Sequence, residues 1–127
     1  ADLLANRQLT TDMLIAKGRA NHPTWSAAEL RPWSVAKHQA RPQVLEYIEG
    51  EPGDWRASVR ALRTQALLIT GDVSRGVIIA PELAREAQAL NPLLRIARIP
   101  DAGHSIRRDN FDAYIAAVRA FLREVAP

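Results

Sequence analysis

The stretch IPDAGHSIRRDNF, residues 99–111, places a histidine in a Gly-His-Ser turn between two segments of different character. Before the turn, LRIARI (94–99) alternates apolar side chains with arginines, which predicts a strand with one side toward water. After the turn, apolar residues recur at helical spacing up to Val125, which predicts a long amphipathic helix with Asp109 as its cap. The histidine, His104, therefore lies between a strand and a helix.

An earlier apolar run, ALLIT (66–70), ends at Gly71 and predicts a strand covered on both faces. PELAREAQAL, opened by Pro81, then predicts a helix over residues 81–91. The order strand, helix, strand, helix predicts two adjacent parallel strands joined by a right-handed crossover. Residues 55–127 are therefore expected to form a β-α-β-α unit.

Residues 1–54 show no strand pattern and are expected to be helical throughout. A first helix is predicted to begin at Thr10 or Thr11 and to end near Ala20. A later helix, VLEYIEG, is predicted to follow Pro42, which suits the first turn of a helix.

Between these two helices, the sequence WSAAEL carries a strong helix-start signal. Ser26 as N-cap and Glu29 form a predicted capping box. In this motif the Ser26 hydroxyl accepts the Glu29 N–H, and the Glu29 carboxylate accepts the Ser26 N–H. Trp25 and Leu30 have the spacing of a hydrophobic staple. The helix that begins here also carries Trp33.

Composition limits the class of protein. The chain has 127 residues, of which 47% are hydrophobic and 24% charged, as in one globular domain. We expect no membrane partner, because no apolar stretch is long enough to span a bilayer. The N-terminus does not resemble a secretory signal, and the absence of cysteine excludes disulfides and thiolate chemistry. These features favour a cytoplasmic protein, and the three histidines show no metal-ligand spacing, so neither a metal nor a cofactor is expected.

The net charge of +3 does not indicate a nucleic-acid partner. Arginines such as Arg85, Arg95 and Arg119 are interleaved with apolar positions, which is typical of solvated faces rather than of one basic surface. Nucleic-acid binding is therefore the weakest of the functions considered.

The strand ends are the place to search for a site, because ligands and catalytic groups collect beyond the carboxyl ends of parallel strands. Asp72 follows the first predicted strand and His104 follows the second, so pairing of the strands would make their loops adjacent. A histidine can act as general base and then as general acid, while a carboxylate fixes its tautomer and stabilises the imidazolium. We therefore predict a hydrogen-bonded pair of His104 and Asp72, although Asp72 could instead cap its own loop through backbone N–H groups.

These segments resemble a known family. ALLITGD, a helix and then RIPDAGHSIRRDNFDAYIAAVRAFL resemble the C-terminal end of an α/β-hydrolase. The helical segment HPTWSAAELRPWSVAKHQARPQVL is similar to the cap that such enzymes insert ahead of the final strands. The resemblance implies an α/β fold with residues 1–54 as a helical cap and residues 55–127 as the C-terminal part of the hydrolase core.

The resemblance also implies roles for individual residues. In this family a nucleophile, an acid and a histidine follow one another along the chain, which assigns His104 as the catalytic histidine. Family members commonly carry the acid two or three residues after the strand-ending glycine, where this chain has Val73 and Ser74. The acid is then either Asp72, the nearest carboxylate, or a residue outside this chain.

The two tryptophans of the cap-like segment are candidate substrate-binding residues. Trp33 could line an apolar pocket, and Trp25 lies close to it along the chain. Packing within the cap is the simpler interpretation of both side chains.

The sequence has no Gly-x-Ser-x-Gly nucleophile elbow. The nucleophile and the oxyanion hole are therefore expected upstream of residue 1, in a longer protein that hydrolyses an ester, amide or similar bond of a small-molecule substrate. This chain alone is expected to be inactive. The alternative is a non-catalytic binding module derived from the hydrolase scaffold.

Two parallel strands make a small sheet, and parallel sheets normally have several strands. The free edge of ALLIT would present unpaired backbone groups to another strand. The expected partner is the N-terminal part of the same protein or a second copy of the chain in a homodimer.

Overall fold

The structure is a computed structural model that describes residues 2–41, 43 and 53–126. The chain divides into two units, Ala1–Pro52 and Gly53–Pro127. No helix within the described ranges is long and apolar enough to cross a membrane.

The first unit contains three described helices, α1 (Asp2–Arg7), α2 (Thr11–Asn21) and α3 (Ala27–Gln39). The predicted start of α2 is confirmed, because the Thr10 side chain accepts a hydrogen bond from the Met13 N–H at 3.2 Å. Helix α1 agrees with the expectation that residues 1–54 are helical, although no separate helix was predicted there. The predicted helix VLEYIEG lies outside the described residues.

The predicted N-cap residue of α3 is confirmed, but the capping hydrogen bond predicted for its side chain is not formed. Ser26 is the N-cap residue with extended backbone angles, but its hydroxyl makes no capping hydrogen bond. The Ser26 carbonyl instead accepts from the N–H groups of Glu29 and Leu30 and closes the first turn through the backbone. Trp25 and Leu30 are both buried, as a hydrophobic staple requires.

Helices α1 and α2 both pack against α3. Leu14 of α2 and Leu30 of α3 are fully buried between them. Gly18 permits the close approach of the two helices, since a Cβ there would lie 2.9 Å from Leu30 Cδ2 and 3.0 Å from the Trp33 ring. The small side chain at Ser34 is also fully buried, and its hydroxyl donates to the Arg31 carbonyl at 2.8 Å.

The second unit has the predicted β-α-β-α order with additional short helices. Its elements are α4 (Trp55–Arg60), β1 (Ala66–Thr70), a 3₁₀ turn (Val73–Arg75), α5 (Pro81–Leu90), β2 (Leu94–Arg98), α6 (Ile106–Asp109) and α7 (Phe111–Val125). Strands β1 and β2 pair in parallel, with Ala66 opposite Leu94 and Thr70 opposite Arg98. The predicted parallel pair is therefore confirmed.

Helices cover both faces of this strand pair, because successive side chains of a strand point to opposite faces. Leu68 and Leu94 face α5, while Leu67 and Ala97 face α7. Arg95, on the α7 side, forms an ion pair with Glu124 near the end of that helix. The two predicted helices thus pack against the strands as expected.

The N-cap of the last helix differs from the prediction. Asn110 caps α7, and its side-chain oxygen accepts from the Ala113 N–H at 3.3 Å. Asp109 was predicted for this role, which is wrong, because the extra helix α6 ends at Asp109. The Asp109 carboxylate binds the Gly103 N–H instead, at 2.8 Å.

At the end of β1, the chain approaches the loop after β2 very closely. A Cβ at Gly71 would lie 2.2 Å from the Ala102 carbonyl oxygen, a distance that side-chain atoms do not reach. The neighbouring Asp72 N–H donates to this carbonyl at 2.7 Å. Gly71 therefore joins the two strand ends through the backbone.

We expect Gly71→Ala to lower the free energy of unfolding by about 1–3 kcal/mol, because the added methyl group forces the two loops apart. Gly53→Ala is the matched control, since a Cβ at Gly53 meets no atom within 4 Å. That variant should change stability by less than about 1 kcal/mol. Urea unfolding of the three chains measures both values, and equal stability of the two variants would contradict the close approach.

Candidate active site

The loops that follow β1 and β2 lie side by side and are joined by their backbones. The Ile99 N–H donates to the Thr70 carbonyl at 2.8 Å and extends the strand pairing by one bond. The Asp72 N–H to Ala102 carbonyl bond follows it. The structure therefore brings the loop of Asp72 next to the loop of His104, as the sequence predicts.

Asp72 binds this second loop through its carboxylate. Its Oδ2 accepts from the Asp101 N–H at 2.8 Å, and its Oδ1 pairs with the Arg98 guanidinium. The backbone hydrogen bond from Asp101 lowers the pKa of the Asp72 carboxyl, and the hydrogen bond from Arg98 adds to this effect. Asp72 is therefore held as an anion at the junction of the two loops.

Asp101 turns the chain toward the histidine. Its φ of 57° lies in the left-handed region, which aspartate tolerates better than most residues. Its N–H is held by Asp72, and its own carboxylate lies 3.4 Å from Arg75 Nη2. The turn after β2 is thus fixed by the loop after β1.

Gly103, directly before the histidine, is buried and closely surrounded. A Cβ at this position would lie 2.3 Å from the Arg75 carbonyl oxygen, so no other residue fits without a shift of the backbone. The Gly103 N–H donates to the Asp109 carboxylate. The glycine of the Gly-His turn is therefore required for close packing.

His104 itself is exposed. It lies in a polar concavity of about 350 Å³ with Ser105, Ile106, Arg107 and Arg108. Among the described hydrogen bonds, none joins His104 to Asp72, whose two oxygens bind Asp101 and Arg98. The structure thus brings the two loops together without joining the two side chains, and the triad role of Asp72 stays a prediction.

The tryptophans of the first unit form a packed aromatic cluster. The His22 ring stacks on Trp25 with centroids 4.1 Å apart, and Trp25 meets Trp33 edge to face at 5.9 Å. Lys37 Nζ lies 5.2 Å from the centroid of the Trp33 ring. Trp25 is 6% exposed, while Trp33 is only half-buried. The sequence did not indicate the contact with His22, which the turn between α2 and α3 brings about.

A second, apolar cavity of about 360 Å³ was not anticipated from the sequence. It lies on the α5 side of the strands and is lined by Trp55, Val59, Leu68, Ile79, Leu83, Ala87 and Leu94. These residues come from five segments of the chain, so no local pattern indicates it. Within the described residues, no group of three or more histidine, aspartate or glutamate side chains is placed to hold a metal ion.

The parallel strand pair, the covering helices and the histidine turn after β2 together form the C-terminal part of an α/β-hydrolase fold. The comparisons with known proteins are consistent with this fold. N-formylmaleamate deformylase from Pseudomonas putida strain KT2440 is 30% identical to this chain over 118 aligned residues, and the match covers 91% of the chain. The chain spans only 43% of the length of that relative.

A solved structure supports the fold. The crystal structure of the N-formylmaleamic acid deformylase from Pseudomonas putida S16 superimposes with a TM-score of 0.69 at 22% identity. The match covers 91% of this chain and 44% of that one. No family model matches the sequence.

The lowered pKa of Asp72 predicts a pH dependence of stability. The anion is favoured in the folded chain, so its contribution is complete above the unfolded-state pKa of about 4 and is lost as the pH falls through the lower folded-state pKa. Unfolding by urea between neutral and acidic pH should therefore show a loss of stability below about pH 4. In Asp72→Asn the loss of stability between neutral and acidic pH should be smaller. An unchanged loss would contradict the lowered pKa of Asp72.

Proposed function

We propose that this chain is the C-terminal portion of an α/β-hydrolase that cleaves an ester, amide or similar bond of a small-molecule substrate in the cytoplasm. The nucleophile and oxyanion hole come from a part of the protein outside this sequence. The observation that carries the proposal is the His104 turn at the carboxyl end of β2, fastened to the loop of Asp72, on a fold shared with a deformylase. Removal of an N-formyl group, which the relative's name indicates, is the cleavage of an amide-type bond.

His104 is the proton carrier in this proposal. Its imidazole takes the proton of the attacking nucleophile and gives it to the leaving group as the scissile bond breaks. It then takes a proton from water and returns it to the nucleophile as the water releases the bound acyl group. Its exposure at the rim of a polar concavity leaves the ring accessible to groups from outside this chain.

Asp72 is the proposed acid, which orients His104 and stabilises its imidazolium form. Its lowered pKa keeps it ionised at neutral pH, as this role requires. A carboxylate can accept more hydrogen bonds than the two that Asp72 now receives. In this proposal the imidazole of His104 donates to one of the acceptor positions that remain on the Asp72 carboxylate.

Residues 1–54 are proposed to form the helical cap of this hydrolase, with Trp33 and Trp25 as substrate-binding residues. Trp33 is the stronger candidate, because its ring is only half-buried whereas Trp25 is almost completely enclosed. Trp25, which stacks on His22, would then hold the Trp33 ring in place through their edge-to-face contact.

Activity tests the catalytic roles in the longer protein that also supplies the nucleophile. His104→Ala should lower kcat for an activated ester or an N-formyl amide by about 10²–10⁴-fold, the usual contribution of a general base. Asp72→Asn should lower kcat by up to about 10⁴-fold at neutral pH if Asp72 is the acid. Arg98→Ala is the control, because it removes a partner of Asp72 but leaves the carboxylate.

Equal, small losses in Asp72→Asn and Arg98→Ala would assign Asp72 to the loop junction and place the acid elsewhere. Full activity of His104→Ala would overturn the catalytic role proposed for His104. Absence of hydrolysis by the unsubstituted longer protein would favour the second candidate, a non-catalytic binding module derived from the hydrolase scaffold.

The sheet edge suggests a partner. In the described residues β1 pairs only with β2, so its other edge presents unpaired backbone groups next to half-buried apolar side chains. We propose that the N-terminal part of the same protein covers this edge, or that a second copy does so in a homodimer.

We expect the purified chain to sediment as a species larger than its monomer mass of 14.1 kDa. Addition of the N-terminal part should replace self-association and restore hydrolysis, which the chain alone should lack. A monodisperse monomer whose β1 amides exchange slowly would contradict the open edge. Hydrolysis by the chain alone that His104→Ala abolishes would contradict an external nucleophile.

A further inference from the structure

The turn that carries His104 is held from the side of helix α6 as well as from the side of β1. The Asp109 carboxylate accepts the Gly103 N–H at 2.8 Å. The adjacent Asn110 donates from Nδ2 to the Pro100 carbonyl at 3.0 Å. Two consecutive residues after the turn therefore reach back to it, and Asp72 holds Asp101 on the other side.

The bond to Gly103 has a particular consequence for the histidine. Gly103 must be glycine because the Arg75 carbonyl occupies the space of a Cβ. Glycine is also the residue with the greatest backbone freedom, so the peptide that leads into His104 would be poorly fixed by its own conformational preference. A charge-assisted hydrogen bond from its N–H restricts that freedom.

We infer that Asp109 is a positioning residue for His104: it holds the Gly103 N–H and so fixes the backbone from which the imidazole projects. This inference rests on the catalytic role proposed for His104. Asp109 acts on the histidine through the backbone of Gly103. It orients His104 and does not itself transfer a proton.

The test compares Asp109→Ala, Asp109→Asn and Asp112→Ala in the longer, active protein. Asp112 is the matched control, since it is an exposed acid in the first turn of α7 and its removal changes the net charge equally. Asp109→Asn keeps an oxygen that can accept the Gly103 N–H without the charge.

Per active site, as counted by titration with a covalent inhibitor, Asp109→Ala should lower kcat by about 10–100-fold with little change in KM. Asp109→Asn should recover most of this loss, and Asp112→Ala should retain the parent kcat. A role in stability alone would reduce the number of active sites but not kcat per site.

A second measurement uses this chain and does not depend on catalysis. The Gly103 amide should exchange with solvent about 10–100-fold faster in Asp109→Ala than in Asp112→Ala, as followed by NMR. Equal kcat per site in Asp109→Ala and Asp112→Ala would overturn the inference. Equal exchange rates of the Gly103 amide in these two variants would also overturn it. Full activity of His104→Ala would instead overturn the catalytic role proposed for His104, so the two failures are distinguishable.

Discussion

The contact between Gly71 and the Ala102 carbonyl is the constraint on which the site depends. It requires a residue without a side chain at the end of β1, and it sets the separation of the two strand ends. The Asp72 N–H and the Ile99 N–H then continue the hydrogen bonding of the parallel pair into the loops. The positions of Asp101, Gly103 and His104 depend on this backbone contact, because parallel strands bring their carboxyl ends to one edge of the sheet.

Carboxylates accept backbone N–H groups at two points of the turn. Asp72 holds Asp101, where the chain enters the left-handed region, and Asp109 holds Gly103, directly before the histidine. Such bonds are stronger than those between neutral groups and fix the backbone on both sides of Ala102, which is fully buried. The backbone held in this way fixes the point from which the exposed His104 side chain projects.

The first unit is held together by helix packing, whereas the second unit is held together by strand pairing. Gly18 lets Leu30 and Trp33 approach α2, and the turn between α2 and α3 stacks His22 on Trp25. The aromatic edge-to-face contact with Trp33 joins this turn to the next helix. The Trp33 ring is therefore held in place by contacts with two neighbouring segments of the first unit.

The sequence by itself determined the elements that local periodicity encodes. Apolar runs and alternation predicted β1 and β2, and the order strand, helix, strand, helix predicted their parallel pairing. Pro81 predicted the start of α5, helical spacing predicted α7, and the Gly-His turn marked the position of His104. Only the tertiary structure decided which polar groups meet. Asp109 binds Gly103 rather than capping α7, Ser26 closes its turn through the backbone, and Asp72 binds Asp101 and Arg98. Hydrogen-bond partners distant along the chain are chosen by the close approach of the backbones, and no local pattern records that approach.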